Sequence, residues 1–189
     1  MWAHALNTSV NDNLFVEPTA QFTANPPVEL VALTLADVPQ MALLESMAHT
    51  HPMSEGNLAD SFGHLYRVLG LKLSTDSNAN VDADTELVEE LLGFAIVQQI
   101  IDEVTLLDIC LLPSLQGKGY GKLLLNAVVT SAKTSGAVVL MLEVRESNVA
   151  ARGLYQKLGF IESGRRKGYY LIEGGKEDAI LMDLAITQE

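Results

Sequence analysis

Gln116-Gly117-Lys118-Gly119-Tyr120-Gly121-Lys122 is the stretch on which the reading of this chain turns. It follows an apolar run, Val104–Leu112, that stops at Pro113, a residue unable to continue a strand ladder. It opens Gly119–Ser135, where Leu123, Leu124, Ala127, Val128 and Ala132 share one helical face until Gly136 ends it. Glycines allow tight turns and let backbone N–H groups come close to a ligand. A helix start adds unsatisfied donors and partial positive charge, and Lys118 and Lys122 add full charges. Such a strand–turn–helix suits a phosphate or pyrophosphate. Two familiar phosphate loops fail on spacing. The glycines at 117, 119 and 121 sit one residue too tight for the dinucleotide pattern, and Gly121-Lys122 lacks the Ser or Thr of a nucleoside-triphosphate loop. The plain alternative is a helix start after a loop, where glycine is common.

Working outward, periodicity predicts a helix over Ala36–His49, with Val38, Met41, Leu44 and Met47 spaced by three and Asp37 near its start. Ser54 is placed to cap a second short helix ahead of Leu58, Phe62 and Leu65. Leu65–Leu73, Leu91–Ile101 and Val104–Leu112 read as strands. After the glycine turn and its helix come a strand at Val138–Val144, a helix at Val149–Leu158, and strands near Phe160–Tyr170 and Asp178–Ile186. Strand–helix–strand units imply parallel pairing, and the other neighbours can form hairpins. An α/β fold is expected, a mixed sheet with helices on both faces. Ligands in such sheets sit beyond the carboxyl ends of strands that diverge.

The 189 residues fit one domain. Twelve Lys and Arg stand against 24 Asp and Glu, a net charge of -12 that disfavours a general nucleic-acid binder. The charge is uneven: residues 73–90 hold Asp76, Asp82, Asp84, Glu86, Glu89 and Glu90 with no base. That stretch reads as a long acidic surface loop, and residues 1–28 as a weakly ordered N-terminal extension to a single domain at 29–189. The single cysteine, Cys110, rules out an internal disulfide. His4, His49, His51 and His64 show no metal spacing with other ligands, and His49-Thr50-His51 lacks an evident third ligand, so no metal is expected. No apolar run approaches the roughly 20 residues needed to span a bilayer. The N-terminus has no Lys or Arg before its apolar positions, unlike a secretory signal, so a cytoplasmic protein is expected.

Gln116, Gly119 and Gly121, as Gln-x-x-Gly-x-Gly, resemble the pyrophosphate loop of the GCN5-related N-acetyltransferases (GNAT). Leu142–Asn148, Ala150-Ala151, Leu154-Tyr155 and Leu158-Gly159-Phe160 are similar to the RimI-like branch of that family. So are Arg165-Arg166, Tyr169-Tyr170 and Glu177–Ile180 with Met182. The resemblance covers roughly residues 29–186. It implies the GNAT fold, with a central strand pair that splays to form a cleft for acetyl-coenzyme A. It also implies transfer of acetyl to the N-terminal alanine of a small-subunit ribosomal protein. Pro52-Met53 departs from the branch, where a tryptophan commonly follows that proline.

Acetyl transfer to an amine needs a neutral nucleophile, an aligned thioester, a stabilised carbonyl oxygen and a proton for the departing thiolate. By resemblance, Glu143 is the proton acceptor and Tyr155 the proton donor. On the residues alone, Glu143 could instead be a surface carboxylate paired with Arg145, two positions along the same strand face, and Tyr155 a core tyrosine. Asn148 can serve the cofactor's amide-bearing arm, cap the helix from Val149, or both. The resemblance further implies that Gln116, Gly117, Lys118, Gly119, Tyr120, Gly121 and Lys122 hold the pyrophosphate. It gives the backbone amides around Ile109, Cys110 and Leu111 to the cofactor arm or the thioester carbonyl. Cys110 itself reads as a small buried apolar residue rather than an acetyl carrier. Acetylation of a lysine or small amine, or coenzyme binding without turnover, are the competing functions.

Overall fold

The computed structural model describes residues 27–73 and 90–187. The acidic run 73–90 and the extension 1–28 fall almost wholly outside the described residues. The sequence reading places no strand before residue 65. The structure adds one, β1 at Val28–Ala32. Five residues are too few for a clear alternation, and among the described strands β1 lies at the edge and pairs with β2 alone.

Four α-helices lie where the sequence places them. Helix α1 is Val38–Ala48 and α2 is Glu55–Asp60, with Ser54 Oγ accepting from Asn57 N–H at 3.2 Å. Helix α3 is Tyr120–Thr134, and α4 is Val149–Lys157. The inward face of α1 was only partly foreseen: Val38, Met41 and Leu44 are buried, but Met47 is exposed and Glu45 takes an inward place instead. The strands are β2 Tyr66–Leu73, β3 Leu91–Ile100, β4 Glu103–Leu111, β5 Val139–Arg145, β6 Ile161–Ile172 and β7 Gly175–Ala185.

All seven form one sheet in the order β1-β2-β3-β4-β5-β7-β6. Only β4 and β5 run parallel; they are joined through α3, as parallel neighbours require a crossover. Alternation along β3 explains the two-sided core. Ala95 and Val97 meet Leu124, Leu125, Val128 and Ala132 of α3 together with Tyr155 of α4. Phe94 and Ile96 meet Met41, Leu44 and Leu58 of α1 and α2. Helices cover both faces, as expected. No helix among the described residues is long and apolar enough to cross a membrane.

The middle of the sheet is built to open. Asp108 lies opposite Ile96 while Leu106 lies opposite Val97, so Leu107 is an extra residue and β4 bulges there. At the same point β4 and β5 stop pairing, their last partners being Leu106 and Leu142. Beyond it, β4 follows β3 to Leu111 and β5 follows β7 to Arg145, leaving a wedge between them.

One glycine holds β3 close against the outer half of β4. A Cβ on Gly93 would lie 2.9 Å from the carbonyl oxygen of Cys110 and 2.7 Å from Leu111 Cδ1. Gly93→Ala is therefore expected to destabilise the fold by about 1–3 kcal/mol, the usual cost of overpacking. Urea denaturation checks this. An unchanged midpoint would show that the two strands part there freely.

Candidate active site

The wedge between β4 and β5 has a backbone wall on one side. Leu112 N–H donates to Leu92 O at 2.9 Å, and Cys110 faces Phe94 two positions earlier. In an antiparallel ladder such residues alternate, so Cys110 spends its backbone groups on β3, while Ile109 and Leu111 turn theirs toward the wedge. The three amides named from the sequence are thus not equivalent, and that of Cys110 faces the wrong way for a ligand. The Cys110 side chain is 1% exposed and points to the α1 face of the sheet. Burial pushes its thiol up from its ordinary value, which disfavours a nucleophilic thiolate.

At the mouth of the wedge stands the glycine turn. Gly117 and Gly119 adopt φ of +73° and +94°, backbone conformations that side-chain-bearing residues rarely take. Gly119 is the N-cap of α3 and has no side chain to cap it, so the helix presents its first-turn N–H end uncapped by that residue. Gln116 latches the turn to the sheet by donating from Nε2 to Leu111 O at 3.3 Å. Lys118 and Lys122 are exposed beside it, and a Cβ on Gly117 would meet nothing within 4 Å. Tyr120 differs from its neighbours: its side chain is 2% exposed and packs with Leu71, Leu92 and Leu115 rather than lining the turn.

On the β5 side, Glu143 lies just past the last β4–β5 pair. Its carboxylate accepts two hydrogen bonds from Arg166 Nη1, at 2.8 and 3.1 Å. The alternative that the sequence left open, a surface pair of Glu143 with Arg145, does not form among the described residues. Arg145 instead bonds Glu177 at 3.3 Å and lies over the Tyr170 ring, 4.0 Å from its centroid. The reason is the pairing order: β7 bonds β5 on one side and β6 on the other, bringing the arginines and tyrosines of β6 next to the end of β5. Arg166 sits over Tyr169 at 4.8 Å, and Tyr169 meets Tyr170 edge-on at 5.0 Å. Nothing at sequence level announced this cluster beyond the paired Arg165-Arg166 and Tyr169-Tyr170.

Tyr155, from α4, closes the floor. It is 5% exposed, against Phe160 at a ring distance of 5.6 Å. Burial pushes its phenol up to about 12, and nearby Asp108 and Tyr170 add to the shift. A phenol held that high keeps its proton throughout the neutral range. Asn148 is the N-cap of α4, its Oδ1 accepting from Ala151 N–H at 3.1 Å; the capping role is realised, and the amide nitrogen is the part left for a ligand.

Beyond Glu143, a pocket of about 430 Å³ opens between the turn after α1 and the β6–β7 hairpin. His49 and His51 line one wall. Arg145, Ile172, Glu173 and Glu177 line the other. Glu143, the outward-turned backbone of Ile109 and Leu111 and the glycine turn thus lie around one wedge, with Tyr155 on the α4 side near Asp108 and Tyr170.

Residues 55–160 match the acetyltransferase (GNAT) family. The chain is 39% identical to the ribosomal protein bS18-alanine N-acetyltransferase of Salmonella typhimurium over 82% of its length and 95% of that protein's. It is 42% identical to the same enzyme of Haemophilus influenzae, over 77% of this chain and 90% of the relative. The crystal structure of the ribosomal-protein-S18-alanine N-acetyltransferase from Escherichia coli superposes with a TM-score of 0.75 at 34% identity, covering 86% of this chain and 96% of that one. The fold alone is shared with Ard1 from Thermoplasma volcanium, at a TM-score of 0.69 and 15% identity. The family match, the sequence relatives and the superposed crystal structure agree, and the chain belongs to the GNAT family of acetyltransferases.

Proposed function

We propose that this enzyme transfers acetyl from acetyl-coenzyme A to the N-terminal alanine amine of the small-subunit ribosomal protein bS18. The observation that carries the reading is the carboxylate of Glu143, held by Arg166 just past the last β4–β5 pair where the strands part; the pocket lined by His49, His51, Arg145, Glu173 and Glu177, two residues further along β5, suits the acceptor chain. Acetyl-coenzyme A supplies a thioester open to attack by an amine. Its pyrophosphate fits the uncapped start of α3 with Lys118 and Lys122, and its pantetheine arm fits the open backbone edge at Ile109 and Leu111. The side-chain nitrogen of Asn148, whose oxygen caps α4, is assigned to the same arm. In this reading an outward-turned N–H of β4 serves as the donor to the thioester carbonyl.

Glu143 takes the proton of the attacking amine directly or through one water, with Arg166 fixing its carboxylate in place. Tyr155 gives a proton to the departing thiolate. An N-terminal amine, with pKa about 7.7–8.0, is neutral in an appreciable fraction near neutral pH; a lysine amine near 10.4 is roughly 10²–10³ times less so. One exposed carboxylate matches the easier acceptor. The acidic side chains Glu173 and Glu177 on the pocket wall, and the net charge of -12, suit a basic ribosomal chain.

The pH dependence follows from the buried phenol. An acid works below its pKa, so raising Tyr155 to about 12 moves its failure to higher pH. The expected kcat/KM rises through the acceptor amine's pKa near about 8 and then stays level to about pH 10. A stopped assay across this range checks it, and a falling limb below pH 9 would count against Tyr155 as the donor. The cellular test is mass spectrometry of ribosomal protein N-termini with and without the gene for this chain. Loss of acetyl from the alanine end of bS18 supports the assignment; unchanged occupancy there with loss on lysines favours the lysine reading.

A further inference from the structure

Cys110 directs its side chain away from the wedge, and there it joins three other ligand-type side chains for which acetyl transfer has no use. Glu45 and His49 are one helical turn apart at the end of α1, and Asp108 and Cys110 are two residues apart on one face of β4. Glu45 carboxylate oxygen, His49 Nε2 and Cys110 Sγ all lie within 4.8 Å of one another. Glu45 is 2% exposed. Its Oε2 accepts from Met53 N–H at 2.9 Å, while its buried Oε1 makes no hydrogen bond among the described residues and faces the His49 imidazole, 3.4 Å from Nε2. The Asp108 carboxyl lies against that of Glu45, close enough for the two to share a hydrogen bond, and its buried Oδ2 makes no other among the described residues. Leaving buried carboxylate oxygens unpaired is costly, and a native fold normally supplies the missing partner.

We propose that Glu45, His49 and Cys110 bind a divalent cation of the zinc class, with the fourth position left to Asp108 or a water. The ligand chemistry favours zinc: an imidazole and a thiolate select it over magnesium or calcium, which prefer oxygen alone. The geometry is close to what zinc needs. Zn–N and Zn–O bonds of about 2.0–2.2 Å at tetrahedral angles put two ligand atoms about 3.3–3.6 Å apart. His49 Nε2 and Glu45 Oε1 are already at 3.4 Å. The bond from Met53 N–H orients the Glu45 carboxylate from behind, as outer partners of metal ligands do. His51, the partner that sequence spacing offered for His49, is not part of this set; the other ligands come from one turn back and from a different element. The cation would pin the end of α1 to β4, and with it the turn at His49 that walls the acceptor pocket. It would hold the pocket's shape and take no part in moving acetyl.

The test reads metal, not activity. The full chain is stripped with a chelator, dialysed, and titrated with zinc against a chromophoric competitor, then with cobalt. One zinc per chain is expected, and a thiolate-to-cobalt charge-transfer band in the near ultraviolet. Cys110→Ser should abolish that band, and both Cys110→Ser and His49→Gln should weaken zinc binding by about tenfold or more. His49 is half-exposed, so its variant is expected to fold even if that of Cys110 does not; far-ultraviolet circular dichroism checks both. Absence of stoichiometric zinc, or zinc binding that survives in folded His49→Gln unchanged, would overturn the proposal.

Discussion

Tyr155→Phe and Glu143→Gln are each expected to lower turnover by about 10²–10⁴, the range for losing a positioned acid or base. Acetyl-coenzyme A affinity should change far less, because neither group is assigned to hold the cofactor. The structure makes both substitutions clean. Phenylalanine keeps the packing of Tyr155 against Phe160 and removes only the hydroxyl. Glutamine keeps an oxygen for Arg166 Nη1 and removes only the charge. Single-turnover kinetics with calorimetric binding separates the two effects. Near-normal turnover in both folded variants would return Glu143 to a plain ion pair with Arg166, and Tyr155 to a core tyrosine.

The second large effect belongs to Gly119. At φ +94°, any side chain strains the backbone, and a β-branched one does so most. The cost, about 1–3 kcal/mol, must be met either by the fold or by a shift of the turn. A shifted turn no longer aims the start of α3 at a pyrophosphate. Gly119→Val is expected to weaken acetyl-coenzyme A binding by roughly tenfold to a hundredfold, with Gly119→Ala in between. Isothermal calorimetry on variants with native circular dichroism reads this directly. Wild-type affinity in Gly119→Val would remove the glycine turn from the cofactor site.

What could be read from the sequence and what could not divide along a physical line. The glycine turn and helix α3 were legible because both are local: φ-demanding glycines, then a 3.6-residue apolar stripe. The strands from β2 onward were legible from apolar runs bounded by turn residues. Strand β1 was not, because Val28–Ala32 is short and owes its existence to pairing with β2. The inward turn of Glu45 was equally hidden, since a helical pattern gives a carboxylate to solvent unless a distant partner claims it. Met53 N–H does so here. At the site, the positions of Glu143 and Tyr155 came from resemblance, whereas the pairing of Glu143 with Arg166 depends on β7 inserting between β5 and β6. The unequal roles of Ile109, Cys110 and Leu111 depend on strand register, which no single-strand pattern contains.

The central claim is that the acceptor is a chain's α-amine, and one measurement addresses it most directly. The purified enzyme is given acetyl-coenzyme A and a basic peptide beginning with alanine and containing internal lysines, and the products are mapped by tandem mass spectrometry. The same peptide with its α-amine blocked is run alongside. The account predicts a single acetyl group on the alanine α-amine of the free peptide and no product from the blocked one. Robust acetylation of lysine side chains on the blocked peptide would contradict it.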